Sequence, residues 1–244
     1  MPAPRPIAAA LAAAGAWLLD PAEPARSETL TAPAALRPVV AVFGLARGCG
    51  ATVVARALAA ELARRDPAGA AAVHCDAKAS GIPLATPAAT RLARALADVP
   101  GADTRAVGRL CLIGGADGAR VVDGARYIAP LVLDAGATAL GGAPAALADE
   151  VVVVATPSVE PALGAAAADY LGRLDREPIV VLNRASTRAA EPTGWAGRAA
   201  HALPDSRMGA QLALGGREPR GSLGRAIAEL ADGCEGRPPT TRCR

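Results

Sequence analysis

The run Val39-Val-Ala-Val-Phe43, bounded by Pro38 and Gly44, constrains this chain more than any other feature. It is far too short to cross a membrane, and it lacks the polar alternation of a strand with one wet face. Such a run is a strand buried on both faces, and a strand of that kind needs covering helices on either side. The pattern recurs. Apolar runs predict further strands over 71–75, 109–113, 130–133, 150–155 and 178–182. Between them, helices are predicted over 51–65, 87–97, 161–174, 206–214 and 223–231. In the first of these, Val54, Leu58 and Leu62 recur at spacing four and form one apolar stripe. Alternating strands and helices imply an α/β fold: three layers, α/β/α, around a mostly parallel central sheet. Sheets of this class bind ligands beyond the carboxyl ends of their strands, so the loops that follow the strands are where function is expected.

Composition narrows what those layers are made of. The chain has 244 residues, 52% of them hydrophobic, which excludes disorder as its general state. Aromatic residues supply only 2%, so the core must be Ala, Val and Leu at close approach. No apolar run reaches the ~20 residues of a membrane span. The net charge of +3 is too small to argue for nucleic acid by itself. The 26 basic residues include a single lysine, Lys78, so any chemistry that needs a lysine must use that one. Five cysteines without CxxC spacing indicate neither a zinc site nor a disulfide framework, and they suit a reducing, cytoplasmic setting.

Three segments are expected. Residues 1–37 comprise an alanine-rich helix over 7–19 and a Pro-rich linker, with the helix docking on the main domain or on a partner. Arg5 ahead of that run faintly resembles a signal peptide, but no small-residue cleavage site follows directly. Residues 38–235 are the α/β domain. Residues 236–244 are a disordered tail with two prolines and no apolar face, which argues against membrane association through the C-terminus.

The loop Gly44-Leu-Ala-Arg-Gly-Cys-Gly-Ala-Thr52 joins the first strand to the first helix. A glycine-rich turn that opens a helix presents backbone N–H groups and the positive end of the helix dipole to an anion. The phosphate-loop pattern G-x-x-x-x-G-K-[ST] is met only at Gly50 and Thr52; Leu45 and Ala51 depart from it.

From Pro38 to about Gly233 the chain resembles the MinD/ParA family of P-loop ATPases, whose deviant Walker A loop reads K-G-G-x-G-K-[ST]. Ala46-Arg47-Gly48-Cys49-Gly50-Ala51-Thr52 stands in register with it. PLVLDAG (130–136) resembles the strand that ends in a Mg-associated aspartate, here Asp134. ADEVVVVATPSVEPALGAAAADYLGRL (148–174) resembles a further strand and helix. PIVVLNRAS (178–186) resembles the strand whose Asn contacts adenine, here Asn183, and ALPDSRMGAQLALGGREP (202–219) resembles the segment and helix behind it. Gly50-Ala51-Thr52 is most similar to the CpaE/TadZ-like group, whose relatives organise pilus assembly or septum position.

The resemblance implies ATP or ADP with Mg held by Arg47, Gly48, Cys49, Gly50, Ala51, Thr52 and Asn183, with Thr52 and Asp134 toward the metal. The loop is nevertheless degenerate. Both family lysine positions are alanine, Ala46 and Ala51, and Arg47 stands where the family has glycine. Cys75-Asp76-Ala77-Lys78 stands where the family has Asp-x-Asp, so an ammonium replaces a carboxylate. Without one charge-assisted hydrogen bond to phosphate, binding forfeits about 1.5–3 kcal/mol, and phosphoryl transfer depends on placed positive charge.

The expected function is therefore a regulatory or scaffolding protein that positions a protein partner, as a pseudo-ATPase whose self-association does not depend on ATP. The alternatives are a working ATPase that uses Arg47 or Lys78 as substitute cation, and a non-specific DNA-binding module that uses Arg207, Arg217, Arg220 and Arg225. His74 and His201 read as core histidines, and Trp195 reads as a loop anchor. No residue is assigned a confident catalytic role.

Overall fold

The computed structural model describes residues 36–75, 86–87, 90–96, 99–115, 117–137, 140, 142–159, 161–173, 177–185 and 200–235, all within the unit Leu36–Arg244. The expectations for 1–35, Asp76, Ala77, Lys78, Trp195 and 236–244 lie outside these residues.

Among the described residues nine strands form one sheet: β1 (Val39–Gly44), β2 (Ala70–His74), β3 (Thr86–Pro87), β4 (Asp103–Val107), β5 (Leu110–Gly114), β6 (Leu131–Gly136), β7 (Glu150–Ala155), β8 (Ile179–Ala185) and β9 (Ala200–Pro204). Their order across the sheet is β3-β4-β5-β2-β6-β1-β7-β8-β9. All pairings from β5 to β9 are parallel; only β3–β4 and β4–β5 are antiparallel. The helices are α1 (Ala51–Arg65), α2 (Arg91–Leu96), α3 (Gly118–Ala125), α4 (Ala143–Leu147), α5 (Pro161–Arg173), α6 (Arg207–Leu214) and α7 (Gly221–Glu235).

The six predicted strands are all present, within a few residues of the expected ends. The helix expected over 87–97 is shorter: Thr86–Pro87 pairs with β4, and α2 opens at Arg91 behind Thr90, whose hydroxyl accepts from the Ala93 N–H at 3.1 Å. Helices α3 and α4 and strands β3 and β4 had no strong apolar signal. They are short elements whose stability comes from docking on the sheet and not from their own pattern.

Each face of the sheet buries its own core. On one face α1 meets α6 and α7 over Val40, Val42, Val132, Val152 and Val181; on the other, Val39, Ala41, Phe43, Leu131 and Leu133 pack beneath α2, α3 and α4. Because successive side chains of a strand alternate faces, the unbroken apolar run of β1 feeds both cores at once. In α1 Ala55, Ala57, Ala59, Ala60 and Ala63 are all buried with Leu58 and Leu62. Methyl groups thus replace the missing aromatics and let the helix approach the sheet closely.

The far end of α1 is tied to α7 by charge. Arg65 donates to Glu61 at 2.8 Å, Asp232 at 2.6 Å, Glu235 at 2.8 Å and the Ala228 carbonyl at 2.9 Å, while Arg64 forks onto Glu61 at 2.7 and 3.0 Å. The hydrogen bond from Arg64, with help from Arg65, holds the Glu61 carboxyl below the ordinary value of 4.5. A carboxylate with a lowered folded-state pKa adds stability above its unfolded value and loses it as pH falls through the folded value. Glu61→Gln is therefore expected to cost about 1 kcal/mol at pH 7, a small figure because Arg64 is half in solvent. Urea denaturation of both proteins checks this: the gap should be constant at neutral pH and close as pH drops below 4.5.

Candidate functional site

The site grows from the central strand. β1 lies between β6 and β7, and its register with β6 slips between Val42 and Phe43, just before the chain leaves the sheet. From Gly44 the loop turns up over the carboxyl edge and enters α1 at Ala51. Gly50 is the residue before the helix, with φ +89°, and no side chain caps the helix; its first turn carries no acid. The leading N–H groups of α1 therefore face outward without intrahelical partners. With Gly136 and Ala137 of the neighbouring strand end they line an open groove of about 440 Å³. Ala46, Arg47, Gly48, Gly50, Ala51 and Thr52 all border it. Arg47 is exposed and is the one cationic side chain among the described residues that line it.

Cys49 is buried and points inward, its thiol bonded to the Ala46 carbonyl within the turn. Beneath it, Asn183 at the end of β8 donates from Nδ2 to the Cys49 carbonyl at 2.8 Å and accepts the Arg184 N–H at Oδ1, 3.0 Å. Asn183 is itself buried, and a Cβ added at Gly50 would lie 2.3 Å from its Nδ2. Asn183 thus props the loop from below, with one amide N–H left over. Arg184, which follows it, is the only non-glycine among the described residues with positive φ (58°).

Asp134 is placed differently from the loop residues. The sequence places the strand end at Asp134, but β6 continues to Gly136; Asp134 is 2% exposed and does not border the loop groove. Its side chain lies under α1, in a cavity of about 10 Å³ lined also by Arg56, Ala72, His74, Leu112 and Ile113. The Oδ2 atom is 3.0 Å from His74 Nδ1, yet neither atom has a hydrogen-bond partner among the described residues. Oδ1 accepts the Gly136 N–H at 3.2 Å. Buried Arg56 donates to the Leu214 carbonyl at 2.7 Å; burial lowers its pKa, and the charge of Asp134 opposes that shift. Burial, with the same carboxylate adding to it, pushes the Cys75 thiol up to about 12, which makes it an inert thiol.

This arrangement does not fit a hydrated Mg ion. Thr52 borders the groove, whereas Asp134 faces a separate cavity with room for one water at most, with His74 3.0 Å from its carboxylate and Arg56 lining the same cavity. His74 and Arg56 were missed as partners of Asp134 because the encounter depends on β2 lying beside β6, with His74 opposite Asp134. Strand order of that kind leaves no mark in sequence. His201 sits in edge strand β9, near Gly233 of α7, and joins no site.

No protein-family model matches the chain, and no curated protein matches it either. Solved structures do share its fold. A ParA family ATPase from Chlorobium tepidum superposes with TM-score 0.61 at 18% identity, over 80% of this chain and 98% of that one. MinD from Pyrococcus horikoshii, in complex with Mg-ADP, gives 0.58 at 15%, over 81% and 95%. The MinC:MinD cell division complex of Aquifex aeolicus gives 0.58 at 15%, over 85% and 98%. The fold of this chain is that of the ParA/MinD P-loop ATPases.

The loop geometry separates two glycines. At Gly48 (φ +82°) an added Cβ meets nothing within 4 Å, whereas at Gly50 it strikes Asn183. Gly48→Ala should cost about 1–2 kcal/mol from the left-handed backbone alone, and Gly50→Ala distinctly more. Thermal unfolding of the two variants checks the order, and Asn183→Ala should partly relieve Gly50→Ala in a double-mutant cycle.

Proposed function

We propose that this chain is a regulatory or scaffolding protein of MinD/ParA type, whose loop holds a nucleotide weakly, without Mg and without turnover, while another surface positions a protein partner. The observation that carries the reading is the withdrawal of Asp134 from the loop groove, under Arg56 and His74. The fold supports a phosphate at the loop, since free N–H groups at the start of α1 border a groove of suitable size. The same groove argues against catalysis. Ala46 and Ala51 bring no charge, Arg47 brings one planar cation from an exposed edge, and a transferring phosphoryl group needs several placed positive charges. A CpaE/TadZ-like placement, with a part in pilus assembly or septum positioning, rests on Gly50-Ala51-Thr52. A partner protein accords with the MinC:MinD complex among the structures of the same fold.

Calorimetry with ATP and ADP tests the reading. Affinity should be the same in Mg and in EDTA, should fall about tenfold in Arg47→Ala through removal of a charge-assisted hydrogen bond, and phosphate release should stay at background. Ala51→Lys alone should not restore turnover while Arg47 remains. Asp134→Asn should leave affinity unchanged, because its side chain faces a cavity separate from the groove. Mg-dependent turnover abolished by Thr52→Ala or Asp134→Ala would instead establish a working ATPase.

Dimerisation provides a separate check. In the MinD/ParA family that the chain resembles, the first lysine of the loop reaches the partner's phosphates across a dimer; Ala46 stands at that position here, so light scattering should give the same mass with and without ATP. A monomer converted to a dimer only by ATP would overturn this part.

A further inference from the structure

A second cleft, of about 480 Å³, opens at the opposite edge of the sheet from the loop. The last turns of α1, the turn joining β4 to β5 and the segment between α6 and α7 surround it, all at the amino ends of the parallel strands. Its base is apolar: Ala60, Ala63 and Leu110 are buried there, and Leu212 and Val107 flank them. Its rim is cationic. Arg109 projects from the β4–β5 turn, and Arg217 and Arg220 from the α6–α7 segment; none of the three has an ion-pair partner among the described residues. The rim also carries Arg64, already forked onto Glu61, and one carboxylate, Glu218, close enough to Arg64 to act on it.

The walls are fixed by backbone. The Arg217 N–H donates to the Leu212 carbonyl at 2.9 Å and the Gly216 N–H to the Ala213 carbonyl at 2.9 Å. Gly216, at φ +71°, packs so closely that a Cβ would lie 3.1 Å from Val107 and 3.3 Å from Leu112. The arginine-bearing segment is thus clamped against the β4–β5 hairpin. Directly after Arg220, α7 begins with no acid in its first turn, and its dipole adds positive potential at the same rim.

We propose that this cleft is a binding site for a nucleoside polyphosphate, distinct from the loop groove. Three unpaired guanidinium groups on two elements carry more positive charge than the roughly −1.5 to −2 of one phosphate, and their planar forks match a chain of phosphates. The apolar base gives a nucleobase a surface to lie on, and the volume falls in the range of small-molecule sites, about 300–1,000 Å³. A concave site of that size cannot admit a nucleic-acid duplex, whose phosphates need an extended open face. The groups belong to this chain alone, so binding requires neither the loop nor a second copy.

Fluorescent mant-ATP titrated into the full chain, with inorganic tripolyphosphate as competitor, tests the site. Binding that survives Arg47→Ala should weaken at least about tenfold in Arg217→Glu/Arg220→Glu, since a single charge-assisted hydrogen bond to phosphate is worth a factor of that order. It should also weaken with salt. Hydrogen exchange on the wild-type protein, which needs no variant to fold, should show protection of 108–110 and 216–220 by mant-ATP. The proposal is overturned if all binding vanishes in Arg47→Ala, if the arginine pair makes no difference, or if these segments gain protection from duplex DNA and not from mant-ATP.

Discussion

Everything in this molecule hangs on β1 being hydrogen-bonded on both edges and buried on both faces. A strand in that position has no freedom to shift, because a slip of one residue would exchange the sets of side chains feeding the two cores. The loop that follows it is therefore delivered to one place at the carboxyl edge, and α1 starts at one height above the sheet. The register slip beside Phe43 and the left-handed turn at Gly50 complete that delivery. Asn183 reaches across from β8 to hold the turn, so the shape of the groove is a property of three strands and not of the loop alone.

Close packing by alanine follows from the same constraint. A five-residue stretch such as Ala55–Ala59 with a single leucine and an arginine can lie flat on a sheet of valines only because its methyls leave little between the backbones. The cost is a shortage of polar reach at the carboxyl edge. Asp134 ends up beneath the helix, 3.0 Å from His74 and in the small cavity that Arg56 of the same helix also lines. The loop groove is bordered by the start of α1, with Arg47 as the one cationic side chain among the described residues that line it. Unpaired arginines gather instead at the other edge of the sheet, where α1, the α6–α7 segment and the β4–β5 turn converge.

Much of this was legible in the residues themselves. The continuous apolar runs located all six core strands, and the spacing of Val54, Leu58 and Leu62 placed α1 with the ends it has. The glycine-rich turn, with Arg47 and Thr52 at its edge, was visible because a phosphate-type loop needs particular residue types at consecutive positions. Short elements were not visible: α3, α4, β3 and β4 carry too few residues to show a period, and they form because the sheet offers them a surface.

What the sequence by itself determined is the alternation of buried strands and helices, and a glycine-rich turn after the first strand that has alanine at 46 and 51 and no lysine. Those are properties of neighbouring residues. The tertiary structure alone decided that His74 meets Asp134, that Asn183 supports Cys49, and that Arg109 shares a cleft with Arg217 and Arg220. Each of these joins segments far apart in the chain, through a strand order and a helix packing that no local pattern encodes. The physical reason is that side-chain periodicity states which face of an element is buried, whereas only the assembled sheet states what lies opposite it.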